Sequence, residues 1–200
     1  SARVFFWFGQ EGARVVVRGN TWVNIATGVN WYLKYHAGIH ISWNNMHPRI
    51  PATLPRVSRR ERHETDLRLR YNFNYCTFSY SMAFWDWERW QQEIDWMALH
   101  GINMPLAITG EECVWRNVLL RLGYTEDEIG RFISGPGFFG WWAMNNLEGW
   151  GGPLPLAWYL SLFSSYAADD LTPVDLSRAR ITHKKKPKQQ HKKITIQTKT

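Results

Sequence analysis

Glu111 and Glu112 are the residues whose types and placement most invite a chemical reading. They follow the mostly apolar stretch Ile102 to Ile108 directly. A pair of carboxyl groups could act together as catalytic acid and base on one bond. Their spacing argues against that role: adjacent helix residues point about 100° apart, so the two carboxylates converge poorly on one bond. Glu112 also has a structural use, because Thr109-Gly110-Glu111-Glu112 reads as a capping box with Thr109 as N-cap. Asp86 and Asp95 read as helix surface or cap. His36, His40, His47, His63 and His100 have no ligand spacing such as His-Glu-x-x-His. No metal is inferred, and no cofactor is called for.

Tryptophan is the compositional outlier, with 13 residues. Each offers a large, flat surface and one donor. That suits stacking on sugar rings, and a dense aromatic core explains the number equally. Trp141 follows Gly135-Pro136-Gly137 and is either an exposed stacking residue or a core aromatic beside Phe138 and Phe139. Asn74 and Cys76 are read on a strand, as an Asn bonding to backbone and a small buried Cys. Cys76 and Cys113 are the two cysteines. Their spacing does not settle whether their Cα atoms come within disulfide reach.

The element that would position these groups is Phe73 to Gly110. Tyr75 to Tyr80, rich in aromatics and Thr, suits a strand. Trp87, Trp90, Ile94, Met97 and Ala98 recur at helical steps and predict a helix with one apolar stripe. Gly101 stops it, and Ile102 to Ile108 follows as a second, buried strand. Together they make a crossover between parallel strands.

Upstream, Val4 to Phe8 and Ala13 to Val17 read as strands around Gln10-Glu11-Gly12. Thr21 caps a helix running to about His36, with Trp22, Ile25, Val29, Tyr32 and Leu33 on one side. Gly38 ends it, and Ile39 to Trp43 returns as a strand. Pro48, Pro51 and Pro55 precede a run from Arg56 to Arg70 with charges of both signs, read as an exposed connection. Downstream, a helix runs through Val114, Val118, Leu119 and Leu122 to Gly123. Thr125-Glu126-Asp127-Glu128 opens another, to about Ile133. Gly149 to Pro155 is a Gly/Pro-rich loop. Ser161 to Ala168 is weakly apolar, and Leu171 to Thr200 has no period and no aromatic residue, so it is read as disordered.

The net charge of +7 belongs to that tail. Nine Lys or Arg and no acid lie from Arg178 to Thr200, leaving 15 basic against 17 acidic residues in 1–177. The body gets no support from charge as a nucleic-acid binder. The tail alone would hold polyanions with little selectivity, or is simply solvated. No apolar run approaches the roughly 18 residues of a membrane helix. No signal peptide is visible, and the chain begins at Ser. A fragment or processed form is expected.

From Asn74 to Pro155 a long string of residues resembles the α-N-acetylglucosaminidases, glycoside hydrolase family 89. It comprises Asn74-x-Cys76-Thr77-x-Ser79-Tyr80, Trp85-Asp86-Trp87-x-Arg89-Trp90-x-x-Glu93-Ile94-Asp95-Trp96-Met97-Ala98-Leu99 and Gly101-Ile102-Asn103. Gly135-Pro136 and Gly152-Pro153-Leu154-Pro155 follow, and Arg18-Gly19-Asn20 and Asn30-Trp31-Tyr32-Leu33-Lys34 extend the match upstream. The resemblance covers about residues 4–160. It implies an α/β chain with a small N-terminal domain (1–55), a charged linker (56–70) and the first βα units of an incomplete (β/α)₈ barrel (71–160). A divergent, disordered basic tail (161–200) would follow. It further implies release of terminal N-acetylglucosamine from α-linked glycans with retention, in a secreted, periplasmic or lysosomal protein. Asn74, Cys76 and Trp141 would border the sugar pocket. The family's two catalytic glutamates lie at later barrel strands, so the 200 residues alone are expected to be inactive. A truncated or frameshifted reading is expected to account for the tail.

Overall fold

The computed structural model describes residues 3–145, Leu154 and the backbone of 192–196. The fold is mixed α/β. The described residues form two compact units, one drawn from 3–72, 88–105 and 192–196, the other from 73–87, 106–145 and Leu154.

The first unit is a sheet covered by a helix. Strands β1 (Val4–Glu11) and β2 (Arg14–Gly19) pair antiparallel with Glu11 opposite Arg14, around a tight turn at Gly12. Thr21 caps helix α1 (Trp22–Tyr35), its side chain accepting from the Asn24 N–H at 3.2 Å. Ile25, Tyr32 and Leu33 of α1 pack with Phe6, Phe8, Val15 and Val17 of the sheet. The layers meet closely at Gly28, where an added Cβ would lie 2.6 Å from Val17 Cγ1. Tyr32 is fully buried and donates its hydroxyl to Pro55 O at 2.7 Å.

Three sequence expectations fail in this unit. Ile39 to Trp43 is not a strand: it holds only a Ser42–Asn45 bridge, although Ile39 and Ile41 are buried in the core. The third strand is β3 (Glu61–Thr65), inside the charged run read as an exposed linker, and it pairs antiparallel with β1. Its charges fit an edge strand, where alternate residues face solvent: Arg62 and Glu64 are more exposed than Glu61, His63 and Thr65. His63 stacks on Phe6 at 5.1 Å. Trp22, placed on the buried side of α1, is 57% exposed.

The expectation of a disordered tail is corrected at one point. Lys192–Ile196 is a strand, β6, paired antiparallel with β2, giving the sheet order β3-β1-β2-β6. The Gly149 to Pro155 loop, apart from Leu154, the weakly apolar segment at 161–168 and the rest of the tail lie outside the described residues.

The strand–helix–strand crossover is present with much shorter strands. β4 (Tyr71–Asn72) and β5 (Met104–Pro105) pair in parallel and are joined through helix α3 (Trp87–Leu99). The Arg70 N–H donates to Asn103 Oδ1 at 2.8 Å and the Asn103 amide donates to Arg68 O at 2.9 Å, tying the two strands' approaches. Asn30 Nδ2 donates to Leu99 O at 3.2 Å, fixing the end of α3 on α1. The helical period of α3 was legible, but its buried face was not. Glu93 and Met97 are buried, whereas Trp87 and Ile94 are 51% and 46% exposed. Periodicity locates a helix; its neighbours decide which side is covered.

In the second unit, helix α4 (Glu111–Arg121) follows Gly110, which is the N-cap in a left-handed conformation (φ 92°) and makes no side-chain cap bond. The capping box expected at Thr109 is therefore absent. The box at Thr125 forms and opens helix α5 (Glu126–Phe132). Val114, Val118 and Leu122 of α4 are exposed rather than buried. The core of this unit holds Phe78, Met82, Ile129, Ile133, Phe139 and Trp142. No helix among the described residues is long and apolar enough to cross a membrane.

Candidate substrate-binding site

Directly after β4 the chain turns sharply. Phe73 has φ 74°, in the left-handed region that bulky side chains rarely enter. Such outliers persist only where the surroundings enforce them, and they cluster at functional sites. Asn74 then caps the one-turn helix α2 (Tyr75–Thr77): its Oδ1 accepts from the Thr77 N–H at 2.9 Å and from Thr77 Oγ1 at 2.7 Å. The chain continues into a π turn, Phe78–Met82, a rare element common at functional sites.

Asn74 and Cys76 are thus not on a strand, as the aromatic and Thr content suggested. They lie on a helical segment beyond the C-terminal end of β4. The strand residues proper are Tyr71 and Asn72, and β propensity was overridden by the local cap at Asn74.

Helix α6 (Phe139–Ala143) packs on this segment. The Gly140 N–H donates to Ser79 Oγ at 2.9 Å. The approach is so close that an added Cβ on Gly140 would lie 2.2 Å from Tyr75 O. The consequence is that residues far apart in sequence meet. Cys76 Sγ lies 4.0 Å from Met144 Sδ. Trp141 is half-buried and sets its ring edge-on against Tyr80, with centroids 5.2 Å apart at 90°. Trp142, its neighbour, points the other way into the core, stacked on Phe139.

Sequence reasoning singled out Asn74, Cys76 and Trp141 but not Tyr80 or Met144 as their companions. Tyr80 lay inside the motif string, which was the available signal; it is 76% exposed, beside Trp141. Met144 had no local signal, because its contact with Cys76 spans 68 residues.

The two adjacent glutamates diverge. Glu112 is buried at 1% exposure, while Glu111 lines a cavity of about 1020 Å³ together with Tyr75, Trp115 and Trp142. Burial, and then the charge of Glu112, raise the Glu111 carboxyl above the usual range. Cys76 and Cys113 are both free thiols. Burial and the nearby Glu112 carboxylate push Cys113 up to about 11, against a smaller opposing effect of Arg116. Among the described residues, no group of three His, Cys, Asp or Glu is placed to hold a metal ion.

Residues 2–56 match the family model of the alpha-N-acetylglucosaminidase (NAGLU) N-terminal domain, and residues 70–164 match that of the tim-barrel domain. The human alpha-N-acetylglucosaminidase is 47% identical over 152 residues. The chain belongs to the α-N-acetylglucosaminidase family. Among solved structures, the family 89 glycoside hydrolase from Clostridium perfringens bound to 2-acetamido-1,2-dideoxynojirmycin superposes with a TM-score of 0.75 at 37% identity, over 82% of this chain. A variant of the Clostridium perfringens enzyme with two glutamates changed to glutamine, in complex with its substrate GlcNAc-alpha-1,4-galactose, superposes with a TM-score of 0.73 at 39% identity. The chain spans about a fifth of the length of these relatives: 20% of the human protein and 19% of the Clostridium perfringens chain. The resemblance to the α-N-acetylglucosaminidases read from the motif string is met.

Proposed function

We propose that this chain is part of a retaining glycoside hydrolase that removes terminal α-linked N-acetylglucosamine from glycans. Its role is to build one wall of the sugar pocket. The observation that carries the reading is the docking of α6 on α2 and the π turn, in the segment that follows parallel strand β4 in the chain; barrel enzymes build their sites from the segments that follow their strands. Asn74, Cys76 and Trp141 border the sugar in this reading. Asn74 spends its oxygen on the cap, which leaves its amide N–H groups as donors for a sugar oxygen. Trp141 offers an aromatic face. The N-terminal domain would occupy 1–55 and the start of the barrel 71–160.

None of the described carboxylates is assigned a catalytic role. Retention needs one carboxyl as acid/base and one as nucleophile, about 5 Å apart. Glu111 and Glu112 diverge from a shared wall, and the resemblance puts the catalytic pair at later barrel strands. The 200-residue chain assayed alone is therefore expected to be inactive. Release of a chromogenic α-N-acetylglucosaminide by pure chain would overturn that. Titration with N-acetylglucosamine while following Trp fluorescence tests the pocket wall; no shift at millimolar sugar counts against it.

A further inference from the structure

We propose that a hollow on the face of the first unit's sheet turned away from α1 binds a sulfate or phosphate group. Successive residues of a strand alternate between faces. Phe6 and Phe8 of β1 belong to the core with α1, so Phe5, Trp7, Gly9 and Glu11 share the other face. Gly9 leaves a gap in that row. Arg60, just before β3, lies beside it: an added Cβ on Gly9 would touch Arg60 Cα and Cβ at 3.7 Å. The Arg60 guanidinium reaches Trp7, with Cζ 4.2 Å from the ring centroid, and Arg18 of β2 approaches the same ring at 5.1 Å. Trp7, Gly9, Gln10, Ser58, Arg59 and Arg60 line a hollow of about 180 Å³.

The segment 58–60 is held at both ends. Before it, Val57 is buried in the core, and its N–H donates to Gln10 Oε1 at 3.1 Å. After it, Glu61 pairs with Phe8 in the β1–β3 ladder. Among the described residues, neither Arg59 nor Arg60 has a carboxylate partner. Glu11 also lines the hollow, but its carboxylate accepts from Arg18 at 3.0 Å. Stacking on Trp7 holds the Arg60 guanidinium by its flat face and leaves its N–H edge for bidentate bonds to an oxyanion. Arg59 brings a second guanidinium and Ser58 a hydroxyl. This donor set suits sulfate or phosphate, which presents three or more oxygens, better than a carboxylate, which presents two. Volume sets the other limit. Sites that enclose a whole small molecule are about 300–1,000 Å³, so this hollow fits the charged group and leaves whatever carries it outside.

The test is an NMR titration of the full 200-residue chain at constant ionic strength, following backbone amides and arginine Nε–H groups. Inorganic sulfate, inorganic phosphate, glucose 6-sulfate and glucose 6-phosphate are added in turn, with glucose as the neutral control. Saturable shifts at Arg59 and Arg60 Nε–H and at the Ser58 amide are expected for the anions and not for glucose. Shifts that never saturate, or equal shifts with glucose, would overturn the proposal. Binding of the esters alone supports a group carried on a larger molecule, and binding of the inorganic ions supports the free oxyanion as ligand. Arg60→Gln should raise the dissociation constant at least about tenfold, through loss of a charge-assisted bond. Should that variant fail to fold, Arg59→Gln carries the same expectation. Arg56→Gln removes the same charge from an exposed position outside the hollow and should leave binding unchanged. Equal losses inside and outside the hollow would mean that net charge alone holds the anion, and would refute the site.

Discussion

Gly140 donates its backbone N–H to Ser79 Oγ at 2.9 Å, with no room for a side chain between the two helical segments. This contact joins the segment carrying Asn74 and Cys76 to the one carrying Trp141. Gly140→Ala would drive a methyl group to 2.2 Å from Tyr75 O. The backbone must shift, so we expect a loss of about 2–3 kcal/mol. Urea midpoints of the two chains measure it, and equal midpoints would mean that α6 moves freely.

Asn74 combines a cap with a proposed sugar donor, and two substitutions separate the roles. Asn74→Ala should cost about 1 kcal/mol through loss of the cap. Asn74→Asp keeps an acceptor for Thr77 and should be nearly neutral in stability, but it removes the amide donor. Weaker N-acetylglucosamine binding in Asn74→Asp at unchanged stability is the expected result. Unaltered binding would confine Asn74 to capping.

Trp141 and Trp142 are neighbours with opposite surroundings. Trp142 is 8% exposed within the core of its unit, so Trp142→Ala should cost about 3–5 kcal/mol. Trp141 is half-exposed against Tyr80, so Trp141→Ala should cost under about 1 kcal/mol. Its loss should nonetheless abolish the sugar-induced change in fluorescence. If that change survives, another tryptophan reports the sugar.

Glu93 is fully buried on α3, with Arg89 Nη2 at 3.0 Å from one carboxylate oxygen. Burial is the larger influence and raises its carboxyl above 4.5, with Arg89 opposing. A carboxyl raised on folding binds more protons in the folded state. Its contribution is full below about pH 4.5 and is lost as pH rises through the raised folded value. Glu93→Gln should remove that part of the decline. Denaturant midpoints of both chains between pH 4.5 and 7.5 check the sign: the difference between wild type and variant should shift against the wild type as pH rises. A constant difference would show that Glu93 does not titrate in this range.

What the sequence determined by itself is the set of features settled within a few residues of chain. Thr21 capping α1, the Thr125–Glu128 box, the turn at Gly12 and the stop at Gly101 are all read correctly, because each bond closes over four residues or fewer. The motif string was likewise sufficient for the family. Tertiary structure decided the rest. β3 is a strand because β1 offers its edge some fifty residues away, and its charges, which suggested a linker, suit that exposed position. β6 is a strand because β2 has a second edge. α3 buries Glu93 and leaves Trp87 exposed, since the helical period names two faces but not the one that finds a neighbour. Asn74 left its predicted strand for a cap, and its region meets the helix of Trp141 through Gly140 and Ser79, 61 residues apart. Contacts of that separation depend on which surfaces meet in the folded chain, and no local pattern encodes them.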